Sequence, residues 1–208
     1  MRIKSVYMEM IFEIMNLKQQ KRSGWIISGR DMCPEEVESV SDHSWAACMI
    51  ALLYLPEWIT ENNIYSTEMY DKERIIRMLI VHDLAESFLG DIAYGMKTLE
   101  DKERERERFD YYASLNMDKY KNSLTEINEL WVEFEALQTF NSKVAKDIDQ
   151  IEGFIQLNIY KDKLISKNGI DNWKMLVKEW KGNLLIRTHL GKAILSNVED
   201  IFDNTIEV

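Results

Sequence analysis

His82 and Asp83 stand side by side after the apolar run Met78-Leu79-Ile80-Val81, and Glu86 follows three residues later. An imidazole nitrogen beside a carboxylate oxygen can serve one divalent ion, and mixed nitrogen and oxygen donors suit first-row metals. The chain has three histidines, and a second, His43, lies in Ser39-Val40-Ser41-Asp42-His43-Ser44-Trp45 at the start of another apolar helical stretch. On a helix, His82 and Asp83 diverge by about 100°, so an ion against their shared edge is reachable by both. Glu86 is four residues from His82 and three from Asp83, which puts it on their side, where it could stand beside the ion without ligating it. A fourth ligand would come from a later acid, and Lys146-Asp147-Ile148-Asp149 offers two. Ile148 lies between them and marks the buried side, so periodicity does not choose. Each residue alone has an ordinary structural reading, as a hydrogen-bonded histidine or a solvated acid. Their combination is what points to a metal centre.

The elements that must carry these residues are helical. Two prolines and eight glycines in 208 residues, with abundant Met, Leu, Glu and Lys, favour an all-α chain. The length suits one domain spanning 1–208. Apolar spacing predicts about eight helices. The first covers Val6–Gln20, and a loop holding Gly24, Gly29 and Pro34 separates it from a second that starts near Ser39 and ends at Pro56. Ser39 with Asp42 resembles a capping box. A third helix covers Asp71–Phe88 and stops at Gly90. A charged helix over Thr98–Leu115 reads as a solvated face supported by pairs such as Glu100 with Arg104. Further helices are expected at Lys119–Phe140, Ser142–Ile165, Asp171–Trp180 and Leu184–Phe202.

A net charge of −10 argues against nonspecific binding to nucleic acid. Cys33 and Cys48 make no disulfide framework and fit a reducing cytoplasm. No apolar run reaches the roughly 18 residues of a membrane span, and no secretory signal is evident. A soluble cytoplasmic protein without a membrane partner is expected.

With these residues in view, the sequence resembles the HD-domain phosphohydrolases, whose metal pattern is His, then His-Asp, then a distant Asp. More narrowly it is similar to the short HD-domain 5'-deoxynucleotidases. The matching blocks are Arg22-Ser23-Gly24-Trp25, Glu38-Ser39-Val40-Ser41-Asp42-His43, Val81-His82-Asp83-Leu84-Ala85-Glu86, Leu89-Gly90-Asp91-Ile92, Leu130-Trp131-Val132-Glu133-Phe134-Glu135 and Val144-Ala145-Lys146-Asp147-Ile148-Asp149. They extend over about 20–155, with C-terminal helices over about 156–208. The resemblance implies an all-α HD-domain helical bundle, commonly a homodimer. It implies one divalent ion, with Mn, Co, Fe or Zn suiting the donors better than Mg, held by His43, His82, Asp83 and Asp149. It further implies that Glu86, with Asp83, serves catalysis, that Asp91 contacts substrate near the sugar, and that Arg22 and Trp25 orient phosphate and nucleoside. In bacterial members the arginine and tryptophan are adjacent, whereas here two residues separate them, so Arg30 is a second candidate for the phosphate. The implied reaction is hydrolysis of (deoxy)ribonucleoside 5'-monophosphates to nucleoside and phosphate by metal-activated water. The alternatives are an HD hydrolase of another phosphoester, a triphosphate or an alarmone, and a catalytically silent metal-containing binding module. Alarmone hydrolases carry an acid directly after the glutamate, where this chain has Ser87.

Overall fold

A computed structural model describes residues 2–27, 30–55, 70–93, 95–114 and 121–206, and among these every extended element is an α-helix. The chain divides into two compact units: Met1–Trp45 with Ile80–Glu135, and Ala46–Leu79 with Ala136–Val208. Helices α2 (Val40–Tyr54) and α3 (Lys72–Val81) contribute residues to both. Pro56, expected to end α2, lies outside the described residues.

In the first unit, α1 (Arg2–Met15) starts earlier than its periodicity indicated and closes in a 3-10 turn, Asn16–Lys18. The next helix begins where Ser39 and Asp42 cap one another. The Ser39 N–H donates to Asp42 Oδ2 at 2.8 Å and the Asp42 N–H to Ser39 Oγ at 3.2 Å. This reciprocal box satisfies donors that a helix start leaves unpaired. The connection before it is tied down by the chain itself. Arg22 N–H donates to Glu38 O at 3.2 Å, Val40 N–H to Gln20 O at 2.9 Å, and Lys21 and Ser39 form an isolated antiparallel bridge. The segment carrying Arg22 is thereby laid against the start of the helix carrying His43.

The helix expected over Asp71–Phe88 is interrupted. α3 ends at Val81, residues His82–Ala85 form turns, and a four-residue helix α4 (Glu86–Leu89) follows. The N–H groups of Leu84, Glu86 and Ser87 donate to the carbonyls of Val81, Asp83 and Leu84 at 3.0 to 3.2 Å. These three-residue closures wind the chain more tightly than an α-helix. Gly90 stops α4 as expected: its φ of 84° favours glycine, and its N–H reaches Glu86 O.

After α4, helices α5 (Leu99–Ser114) and α6 (Lys121–Ala136) complete this unit's described elements. Phe109 of α5 stacks on Trp131 of α6 at 4.4 Å. Met10, Tyr112 and Leu124 form an apolar cluster against which Ile14 and Phe88 pack, which fixes α4 from behind.

The second unit is built on α7 (Phe140–Ile159), whose Val144, Ile148, Ile151, Phe154 and Leu157 are buried at helical spacing. Thr139 caps it by accepting from the Ser142 N–H. Tyr160 separates it from α8 (Lys161–Asn168), so the helix expected over Ser142–Ile165 is two. α9 (Ile170–Asn183) and α10 (His189–Ile206) follow.

Candidate metal centre and active site

His43 projects from the second turn of α2 and is fully buried, while His82 occupies the turn after α3 and is also buried. Their Nε2 atoms face one another across 3.4 Å. Asp83 Oδ2 lies 3.1 Å from His82 Nε2 and 3.7 Å from His43 Nε2. The His82 ring packs on Phe134 of α6, with centroids 5.1 Å apart, which fixes its orientation. Two imidazole nitrogens and a carboxylate oxygen thus converge on one point in a largely dry setting. That donor set fits a first-row divalent ion. The tight turn brings it about, because both members of the His-Asp pair meet His43 there.

Arg22 reaches the same place from the clamped segment. Its Nη1 lies 3.2 Å from Asp83 Oδ2 and 3.5 Å from Asp91 Oδ1. The Ser23 N–H donates to Asp91 Oδ2 at 2.5 Å, and the Ser23 hydroxyl donates to the same oxygen. Spacing assigns Ser23 no role, although it directly follows Arg22. Burial works against a charge on Asp83, but His82, then Arg22 and His43, hold its carboxyl well below the usual range.

Glu86 opens α4 and is buried. Burial, reinforced by Asp83 and Asp91, pushes its carboxyl well above the usual range despite Arg22 and Lys97. Its Oε2 is buried without a hydrogen-bond partner among the described residues. Two carboxylates in one small region are therefore driven to opposite protonation behaviour, the pattern of an acid-base site.

Trp25 lies on a 3-10 turn, Ser23–Trp25, and is 4% exposed, with its indole N–H donating to Glu38 at 3.0 Å. Arg30 sits over the Trp25 ring, 5.6 Å from its centroid, and donates to Gly24 O at 2.6 Å. Arg22 is paired with two acids of the site, Asp83 and Asp91.

On α7 the two candidate acids are distinguished by local bonding. Asp147 is fully buried and accepts from the N–H groups of Arg187 and Thr188 and from the Thr188 hydroxyl at 2.7 to 2.9 Å. Asp147 therefore anchors the start of α10. Asp149 is partly buried, and Lys146 Nζ donates to it at 2.7 Å.

The HD-domain family profile matches residues 14–180. The chain belongs to the HD-domain family. The match takes in residues of both units. The chain is 31% identical to the Saccharomyces cerevisiae protein named 5'-deoxynucleotidase YGK1 over 180 residues, covering 81% of this HD-domain chain and 77% of that protein. It is 33% identical to Xenopus laevis 5'-deoxynucleotidase HDDC2 over 148 residues, 70% of this chain and 65% of that one. Among solved structures, a conserved hypothetical protein from Pyrococcus furiosus aligns with a TM-score of 0.61 and 26% identity, over 91% of this chain and 97% of that one.

Proposed function

We propose that this HD-domain chain is a metal-dependent phosphohydrolase that releases phosphate from 2'-deoxynucleoside 5'-monophosphates. The observation that carries the reading is the convergence of His43, His82 and Asp83 beside a buried Glu86. It is supported by relatives named for that activity.

In this proposal His43, His82, Asp83 and Asp149 would hold one divalent ion. The commitment of Asp147 to the α10 backbone supports the choice of Asp149. When bound, such an ion offsets phosphoryl charge and lowers the pKa of water; Mn, Co, Fe and Zn suit the donors. Arg22 grips the phosphate through its fork of N–H donors. Asp91, held by Ser23, accepts from a sugar hydroxyl. Trp25 backs the turn that presents Arg22, and Arg30 braces Trp25. Water attacks phosphorus as the bond to O5' breaks, and Glu86 carries the proton from water to the leaving oxygen. A raised affinity for protons suits a residue that must both take and give one.

In this reading the chain acts as one functional domain in a cytoplasmic homodimer, clearing monophosphates from a nucleotide pool. The free thiols Cys33 and Cys48 fit a reducing compartment, and the exposed Phe12, Trp45 and Ile80 offer apolar surface for a second copy. No described helix is long and apolar enough to cross a membrane.

The test is phosphate release from a panel of 5'-ribo- and 5'-deoxyribonucleoside monophosphates after metal removal and readdition of Mn²⁺ or Co²⁺. Metal-dependent release favouring deoxy substrates is expected. No release from any monophosphate by metal-loaded protein would overturn the assignment.

A further inference from the structure

The block Glu38-Ser39-Val40-Ser41-Asp42-His43 opens on a residue that has no part in the chemistry above. Glu38 stands one position before Ser39, which caps α2, and five before His43. The capping residue also leads straight to the histidine, since the His43 N–H donates to Ser39 O at 3.1 Å.

Hydrogen bonds close a circuit between Glu38 and the turn that carries Arg22. The Arg22 N–H donates to Glu38 O at 3.2 Å, and the Trp25 N–H donates to Arg22 O at 3.2 Å. The Trp25 indole N–H then returns to Glu38, donating to Oε1 at 3.0 Å. One residue thus holds both ends of Arg22-Ser23-Gly24-Trp25, the first by its main chain and the last by its carboxyl group. Trp25 is itself fixed, being 4% exposed, with its carbonyl accepting from the Met32 N–H at 3.0 Å. A buried indole N–H left without an acceptor is costly, so the place of the turn follows the place of Glu38.

The other end of the same turn makes polar contacts of the site. Arg22 Nη1 lies 3.2 Å from Asp83 Oδ2 and 3.5 Å from Asp91 Oδ1, and the Ser23 N–H donates to Asp91 Oδ2 at 2.5 Å. Asp83 Oδ2 in turn lies 3.7 Å from His43 Nε2, which brings the path back to the helix where it began. The start of α2 therefore grips the Arg22–Asp83 pair from both sides, through Glu38 and Trp25 on one and through His43 on the other. Small misplacements of a group that orients substrate are expensive in rate and affinity.

We propose that Glu38 is a positioning residue for the substrate. Through the Trp25 indole it sets where Arg22 and Ser23 stand relative to His43 and Asp83. The inference rests on the phosphohydrolase reading for its substrate, and phosphate binding tests it without turnover. Glu38 is not among the donors of the proposed ion, so its replacement should leave metal content unchanged.

The experiment measures KM and kcat for a deoxynucleoside monophosphate, with calorimetric titration of metal-loaded protein by inorganic phosphate. It compares the parent with Glu38→Ala, Glu38→Gln, Trp25→Phe and the double variant Glu38→Ala/Trp25→Phe, with metal content and thermal midpoint recorded on each. Glu38→Ala is expected to raise KM and weaken phosphate about tenfold, while kcat falls by less than about threefold and metal content holds. Glutamine keeps a carbonyl oxygen for the indole N–H, so Glu38→Gln should recover most of the lost affinity. Trp25→Phe removes the N–H and keeps a ring, and adding Glu38→Ala to it should weaken phosphate no further, because the pair acts as one. Unchanged KM and phosphate affinity in Glu38→Ala would overturn the inference. So would equal losses in Glu38→Gln and Glu38→Ala, or full additivity in the double variant. Lost phosphate affinity in Glu38→Ala with no monophosphate hydrolysed by the parent would sink the nucleotidase reading and leave the positioning role standing. A metal-loaded parent that neither hydrolyses a monophosphate nor binds phosphate would overturn both.

Discussion

At the residue scale, the centre depends on groups whose partners define their charge. His43, His82 and Asp83 face one another closely enough that removing one leaves the others without their shared task. His82→Ala is expected to strip the metal and abolish turnover together, and Asp149→Ala to lower metal content, both read by elemental analysis of purified protein. A full metal complement in Asp149→Ala would show the fourth ligand to be misassigned. Glu86 makes a different prediction, in pH. Its folded-state carboxyl binds its proton more tightly than the unfolded one, because burial and the neighbouring acids disfavour its charge. The native state then holds more protons than the unfolded state as pH rises above the ordinary glutamate value, about 4.3, so this group's contribution to stability declines with rising pH. Metal-free Glu86→Gln should therefore lose less of its thermal midpoint than the metal-free parent between about pH 5 and pH 8. Parallel midpoint curves would contradict the raised proton affinity.

At the scale of elements, the sequence was most legible where a local rule decides. The Ser39–Asp42 box and the Gly90 stop are found where the residue types called for them, since capping and positive φ are properties of a few adjacent residues. The interruption after Val81 was not legible. His82-Asp83-Leu84-Ala85-Glu86 keeps helical composition and spacing, and only the three-residue hydrogen bonds show the tighter winding. The solvated reading of α5 failed at Glu105, which is buried and paired with Lys97, for a related reason, because a partner eight residues back leaves no periodic trace. The anchorage of Asp147 by the N–H groups of Arg187 and Thr188, some forty residues away, was not legible either. That anchorage carries its own prediction. Gly191 lies so close that an added Cβ would fall 2.4 Å from Asp147 Oδ2, and Thr188 Oγ1 accepts from the Gly191 N–H at 2.9 Å to start α10. Gly191→Ala should destabilise the chain by about 1–3 kcal/mol, a fall of roughly 2–4 °C in Tm per kcal/mol at this size. An unchanged Tm would mean that α10 shifts without cost.

At the scale of the whole molecule, the all-α class followed from composition, and membership of the HD-domain family from ordered blocks that run through both units. The first unit carries His43, His82, Asp83, Glu86, Asp91 and Arg22. Metal binding and proton transfer are thereby assigned to different residues, and that division is the central claim. The most direct measurement is metal content and phosphate release determined on the same samples of parent and Glu86→Gln protein. The account expects equal metal and turnover lower by at least ~10²-fold in the variant. Full turnover in Glu86→Gln would contradict it.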